Sequence, residues 1–359
     1  MADLRAWDAL VAATPGTDVS QLSAWSRVRS TVGYRAEYVF AHEEGRLVAG
    51  AQVLVRRVGP GPALAYVPSG PVIAADVVDR AAAVAAVADA LAGFAGPGRA
   101  LFVQPPDDGA DTSEALLARG FRTSQAGIAP AGTLRLDLAP PEEDLRAGLG
   151  RRLRYWTTKW ADRGVRVRPG DQDDVALLAR LMELTARHHG YASLPRSYLE
   201  GFYRELAPGG HAVIFVGEVD GRAVAADLLT GCGGVLKGRL GGFDRSGDAS
   251  RLSVPGAVRW EAIRWARREG YRWFDFGGID PGMLRDLVDG VPGREDDWPS
   301  ADRAKLSFGG RPFVYPTAVE SIRPWPVRVA YDAARRDPRG RRLIEATSQR
   351  LRGARRSDG

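Results

Sequence analysis

YRWFDFGGID, from Tyr271 to Asp280, reads as a strand that ends in a glycine pair. Four of its first six residues are aromatic, a composition that suits a pleated, buried surface. Gly277 and Gly278 let the backbone there approach a ligand closely, or simply relieve crowding at a strand end. Asp275, on the same strand, is placed to hold a polar group. After a short loop rich in Pro and Asp comes RAKLSFGGRPFVYP, Arg303 to Pro316, in which Lys305 precedes a second glycine pair.

Working outward, a helix is expected from Pro255 to Glu269. Val258, Ala262, Trp265 and Ala266 share one face at helical spacing, Pro255 can start the helix and Gly270 can end it. Further upstream VIFVGEVDGRAVAADLL reads as a hairpin turning at Gly221, and YVFAHEEGRLVAGAQVL repeats the pattern at Gly45, 176 residues earlier. Each hairpin is followed by a helix-like stretch (Asp79 to Ala95 in the first copy) and then a strand, RALFVQP or YRWFDF. Hairpin, helix and strand, repeated once, predict a duplicated α/β unit. The Pro-Pro-Glu-Glu turn at Pro140 to Glu143 and the basic, helix-like Leu145 to Arg163 put the boundary near residue 146.

The length of 359 residues fits two domains, and 45% hydrophobic with 26% charged residues fits a folded chain. The longest apolar tract, Ala81 to Gly96, is interrupted by Asp89 and is shorter than the roughly 20 residues a bilayer span needs. MADLRAWDAL lacks a signal-peptide pattern, and Cys232, the one cysteine, cannot close an internal disulfide, so the expected compartment is the cytoplasm. Among the basic residues only Lys159, Lys237 and Lys305 are lysines; an ammonium kept where arginine is the default hints that its compact charge matters there. The net charge is +6, and ten arginines lie between Arg328 and Arg356 against Asp332, Asp337 and Glu345. That excess favours phosphate-bearing partners or marks a solvated helical tail.

QLSAWSRVR (Gln21 to Arg29), YVPSGPV (Tyr66 to Val72), TLRLDL (Thr133 to Leu138), RRLRYWTTKWADRGVRV (Arg151 to Val167) and the two glycine-pair segments together resemble, in order and spacing, the Fem peptidyltransferase family. The resemblance implies an enzyme that moves an amino acid from aminoacyl-tRNA to an amine of a peptidoglycan precursor, for an interpeptide bridge. It also implies an α/β (α+β) fold of two tandem acetyltransferase-type, GNAT-like units, each a mixed central sheet flanked by helices, with a cleft between them. The units would be 1–145, with 317–359 packing back on it, and 146–316, which carries the transfer site. Lys305 aligns with the family lysine that steadies the tetrahedral intermediate or the tRNA 3′ end, although Ala304 stands where the family has an aromatic residue. Trp25 and Arg29 fall on the family's W-x-x-[VI]-K pattern with guanidinium in place of ammonium. Thr185 to His188 falls on T-x-x-R with His188 in the arginine column and Arg187 one place earlier. Tyr34 and Tyr191 are candidates to line the acceptor site, packing being the alternative, as for Tyr198 and Tyr203. Arg303, Arg335, Arg336, Arg341 and Arg342 would meet tRNA phosphates.

Other chemistries find less support. His188 and His189 lack a third ligand at a usual spacing, so no metal is expected. No GxSxG elbow or Cys-His motif supports covalent catalysis, and DFGG without an HRD loop does not make a kinase. The phosphate-cradling fingerprint of acyl-CoA enzymes is missing from DRSGDASRLSVPG and PVIAADVVD, which leaves an acyl-CoA N-acyltransferase as a minority reading. Transfer to a small secondary-metabolite amine, as in antibiotic biosynthesis, and an inactive RNA-binding scaffold are the remaining alternatives. Charged tRNA is expected as co-substrate with no cofactor, on a monomer without a long coiled-coil arm.

Overall fold

The computed structural model describes residues 3–57, 61–96, 98–291, 297–323, 325–340 and 344. They fall into two compact units, one from Met1–Ala129 and Tyr315–Gly353, the other from Pro130–Val314. The first unit opens with α1 (Leu4–Ala13) and α2 (Ser23–Ser30), followed by the hairpin β1 (Arg35–Glu43) and β2 (Arg46–Arg56). Then come β3 (Ala63–Val67), β4 (Val72–Ile73), α3 (Arg80–Phe94), β5 (Arg99–Val103), α4 (Ala110–Leu117) and β6 (Arg122–Thr123).

The second unit runs β7 (Gly132–Asp137), α5 (Glu142–Ala147), α6 (Arg151–Thr157), β8 (Val165–Gly170), α7 (Asp174–His189) and α8 (Arg196–Leu206). It continues with β9 (Ala212–Val219), β10 (Arg222–Cys232), β11 (Val235–Phe243), α9 (Val254–Arg268), β12 (Trp273–Gly278), α10 (Pro281–Asp289), α11 (Ser300–Leu306) and β13 (Arg311–Val314). The chain then enters the first sheet again as β14 (Val319–Ile322) and ends its described course with α12 (Trp325–Arg336).

Both sheets have seven strands and mix parallel with antiparallel pairing. The first is ordered β1-β2-β3-β5-β14-β6 with β4 beside β2, the second β13-β7-β12-β11-β10-β9-β8. The repeated hairpins are built alike: Glu44 and Gly45 have φ of 49° and 82°, Asp220 and Gly221 have 49° and 80°. Two successive positive-φ residues make the turn whose twist matches that of the flanking strands. In the second unit α9 lays Val258, Ala262, Ile263 and Ala266 on the sheet beside fully buried Phe274 of β12, a side chain whose burial contributes about 1.5–3 kcal/mol.

Three expectations need correction. The boundary near residue 146 falls inside the second unit, because β7 pairs antiparallel with β12 (Asp275 opposite Arg135) and with β13 (Arg311 opposite Arg135). The basic stretch Leu145 to Arg163 is not one helix: Gly148 and Gly150 separate α5 from α6. The segment between the two glycine-pair motifs is more than a loop, since Asp280 accepts from the amides of Gly282 and Met283 and starts α10, and α11 carries Lys305.

A Cβ on Gly221 would meet nothing within 4 Å, so backbone conformation alone sets the cost of replacing it. Gly221→Val is expected to lower stability by about 1–3 kcal/mol and Gly221→Asn by much less, as read from urea unfolding.

Candidate functional site

The two units treat their central parallel strand pair differently. In the first, β3 and β5 pair along their full length, from Ala63 opposite Arg99 to Val67 opposite Val103. The ladder even continues past the strand ends, with Gln104 N donating to Val67 O and Gly70 N to Gln104 O, both at 2.9 Å. In the second, β11 and β12 pair only from Val235/Trp273 to Lys237/Asp275. Beyond Lys237, β11 runs on to Phe243 beside β10 alone, while β12 ends at Gly278. At this place β11 also bulges: Arg239 is an extra residue against β10, and its Nε donates to Thr230 Oγ1 at 2.7 Å.

The end of β12 is shaped by a buried carboxylate. Against β7 the register shifts between Asp275 and Gly278, which leaves one extra residue on β12, with Gly277 at φ 79°. Asp275 Oδ1 accepts from Gly277 N at 2.8 Å and from Thr133 Oγ1 at 2.7 Å, and Oδ2 accepts from Arg135 Nε at 3.1 Å. Thr133 Oγ1 also lies 2.8 Å from Gly277 O, so its single proton serves either that carbonyl or Asp275 Oδ1. Arg135 lies over the Phe313 ring at 3.8 Å. A Cβ on Gly278 would come within 2.5 Å of Pro130 Cβ, so close approach, here to protein, is why a glycine stands there.

Lys305 meets this strand end. Its Nζ donates to Gly278 O at 2.7 Å and to Asp302 Oδ1 at 2.9 Å, one helical turn earlier on α11. Asp302 Oδ2 accepts from Asp280 N at 3.0 Å, which ties the lysine's carboxylate partner to the same corner. The lysine side chain is 17% exposed, a cation held by two fixed acceptors with an opening to one side. Two of its three N–H bonds serve these contacts, and a third is available to an incoming oxygen. The arrangement can steady a negative charge that develops on a substrate oxygen.

Of the other residues singled out in the sequence, Arg29 and Tyr34 meet in the first unit, both buried, with the guanidinium 4.7 Å from the ring centroid. Trp25 is half-buried on the same helix, α2. The entry to that helix is fixed by buried Gln21, which donates to Pro68 O at 2.7 Å and accepts from Gln52 N at 2.7 Å, so the QLSAW and YVPSGP motifs touch. In the second unit Arg187, His188 and Tyr191 are exposed around the end of α7. The His188 and His189 rings lie 4.9 Å apart, and Tyr191 stacks on His189. Arg303 is exposed on α11; Arg335 donates to Gln125 Oε1 and lies 5.7 Å from the Tyr331 ring; Arg336 is exposed. Arg341 and Arg342 lie outside the described residues. Sequence reasoning missed Asp302, Thr133, Arg135 and Lys237 as parts of the corner. The i, i+3 spacing of Asp302 and Lys305 was a readable signal once a helix is granted.

Burial of Asp275 by itself raises its pKa, but Lys237 opposite it on β11, Arg135 and the Thr133 and Gly277 hydrogen bonds more than offset this and hold it below the ordinary carboxylate value. Because the folded-state pKa is depressed, the stabilisation is present above the unfolded value of about 3.9 and is lost as pH falls through the folded one. Asp275→Asn, which leaves Arg135 and Lys237 facing a neutral amide, is expected to cost about 3–5 kcal/mol near neutral pH. The same variant should show a shallower loss of stability below pH ~4, measured by urea unfolding across pH.

Residues 144–283 match the family model for the acetyltransferase (GNAT) domain. Lipid II:glycine glycyltransferase of Staphylococcus saprophyticus subsp. saprophyticus is 27% identical over 237 residues, 62% of this chain and 56% of the relative. The enzyme of the same description from Staphylococcus haemolyticus is 26% identical over 233 residues, 62% of this chain and 55% of the relative. The chain thus spans little more than half the length of these relatives. Among solved structures, FemX superposes with a TM-score of 0.79 at 18% identity, covering 91% of this chain and 98% of FemX. L-PGS from Bacillus licheniformis superposes with a TM-score of 0.58 at 13% identity, covering 98% and 97%. The relatives' similarity, the domain match within the second unit and the shared architecture agree: the chain has a tandem GNAT-like fold and is similar to Fem-type proteins.

Proposed function

We propose that the protein is an aminoacyltransferase that moves an amino acid from charged tRNA to an amine of a peptidoglycan precursor in the cytoplasm. The observation that carries the reading is the Lys305 ammonium, fixed on Gly278 O and Asp302 where the β11–β12 ladder stops. The relatives are described as lipid II:glycine glycyltransferases, which supports a lipid-linked peptidoglycan acceptor. In the reaction the acceptor amine attacks the ester carbonyl of the aminoacyl-tRNA. The carbonyl oxygen takes the negative charge, the C–N bond forms, the ester C–O bond breaks, and the terminal ribose oxygen leaves with a proton given up by the amine.

In this scheme Lys305 steadies the oxyanion, and Asp302 and Gly278 O position it. Asp275, Gly277 and Gly278 form the adjoining wall. Holding amine and ester together supplies much of the acceleration, since proximity is worth up to roughly 7–11 kcal/mol. Arg29, which meets Tyr34 and shares its helix with Trp25, is the proposed acceptor contact of the first unit, and Arg187, His188 and Tyr191 are the candidates of the second unit taken by itself. Arg303, on the exposed side of α11 two residues before Lys305, is the proposed contact to tRNA phosphate.

A second reading, N-acyl transfer from acyl-CoA, is favoured by the acetyltransferase description of the matched domain. Thermal shift separates the two: the aminoacyl-tRNA reading expects no stabilisation by micromolar CoA, and a clear rise in melting temperature would favour the acyl-CoA one.

An assay with a mixture of charged tRNAs and candidate acceptors, muropeptide precursors beside small metabolite amines, with products read by mass spectrometry, tests the main reading. Lys305→Ala is expected to lower kcat about 10²–10³-fold. Full turnover by Lys305→Ala would overturn the assignment. Arg29→Ala is expected to raise the KM of the acceptor with a smaller effect on kcat.

A further inference from the structure

Helix α12 shows two faces of unlike chemistry. The helix is pinned to the first sheet by Arg122 on β6, which donates to Asp332 through both Nη atoms, at 2.9 and 2.7 Å, and to buried Glu320 of β14 through Nε at 2.9 Å. Tyr331, on the inner face, donates to Glu320 Oε2 at 3.3 Å and meets the Phe102 ring edge-on. Asp332 lies nearly in line with Trp325, two turns earlier, where its ion pair with Arg122 neutralises it, and the side of the helix away from Tyr331 turns outward. Trp325 is 70% exposed and Val329 47%, and Pro326, Ala330 and Ala333 beside them are exposed as well. Trp325, Val329, Ala333 and Arg336 follow one another at i, i+4, i+8 and i+11, a stripe along the helix axis. Arg328 borders the stripe and Arg336 closes it, and the ten arginines from Arg328 to Arg356 against three acidic residues make this end of the sequence strongly basic.

We propose that the outer face of α12 docks on an anionic lipid bilayer, Trp325 and Val329 entering the headgroup boundary while Arg328 and Arg336 meet lipid phosphates. A helix with tryptophan on its apolar side and arginines along the border is the arrangement that lies in a membrane interface, and the positive charge complements an anionic leaflet. RNA phosphates would satisfy the arginines equally well, but an exposed Val-Ala stripe gains nothing from a phosphate backbone and offers bases no aromatic surface beyond Trp325. The inference rests on the helix itself and deepens the proposed function by adding a partner, the surface on which a lipid-linked acceptor would be found.

The test is flotation of the full chain with vesicles of phosphatidylcholine containing phosphatidylglycerol, compared with phosphatidylcholine alone. The chain should partition onto the anionic vesicles. Trp325→Glu combined with Val329→Glu should lower partitioning about 10-fold or more, while Trp325→Phe retains most of it. Both substituted positions are exposed, and an unchanged circular dichroism spectrum and melting temperature would establish that the double variant is folded. Equal partitioning of the double variant, or a wild-type chain that ignores anionic vesicles, would overturn the proposal. So would a loss confined to tRNA transcript binding, which would assign the face to RNA. Flotation needs no turnover, and transfer to a water-soluble acceptor without vesicles should be the same in wild type and double variant, so failure of either reading is seen separately.

Discussion

A carboxylate with no exposed surface, Asp275, sets the shape of the strand end that Lys305 meets in the second unit. Burying such a charge is costly unless it is paired and hydrogen-bonded. Here it is met by Arg135, Lys237, Thr133 and the amide of Gly277. The Gly277 amide bond holds the extra residue of β12 as a bulge, and the bulge directs the next carbonyl, that of Gly278, toward α11. Lys305 is then fixed between that carbonyl and Asp302. A chain of short, charge-assisted contacts therefore leads from the middle of the sheet to an ammonium at its edge.

The duplicated units put this arrangement in one copy only. In the first unit the corresponding parallel strands stay paired to their ends and beyond, and buried Gln21 and Gln52 fill the neighbouring polar positions. In the second the ladder stops at Lys237/Asp275 and glycines take over on both strands. An added Cβ at Gly277 would meet Gly238 O at 3.2 Å, so the two backbones stay close just past the last paired residues. One unit is closed there, and the other carries the corner where charge can be stabilised.

Much of this was readable from residues. The Gly-Arg-x-Val-Ala repeats mark two hairpins whose turns need positive φ, and the apolar face from Val258 to Ala266 marks the helix behind β12. Lys305 and Gly278, 27 residues apart, were linked by pattern and do meet. What stayed hidden was partner choice. Nothing in the alternation of TLRLDL tells which sheet the strand joins, because alternation reports faces and not neighbours. For that reason a boundary near residue 146 falls some 16 residues inside the second unit. Asp302 was hidden for a related reason: in a stretch read as loop, a carboxylate three residues before a lysine has no direction, and only the helix aims it. The break between α5 and α6 inside the helix-like Leu145 to Arg163, and the short helix α10, are hidden because capping and glycine breaks, more than periodicity, define elements of that length.

The central claim is that Lys305 binds the charged tetrahedral state better than the ester that precedes it. The most direct measurement is the affinity of a stable phosphonate analogue of that state, attached to the terminal adenosine, compared with that of a non-reactive aminoacyl-tRNA, for wild type and Lys305→Ala. The account predicts that the substitution weakens the phosphonate about 100-fold while changing ground-state binding little. Equal losses for both ligands, or no loss for the phosphonate, would contradict it.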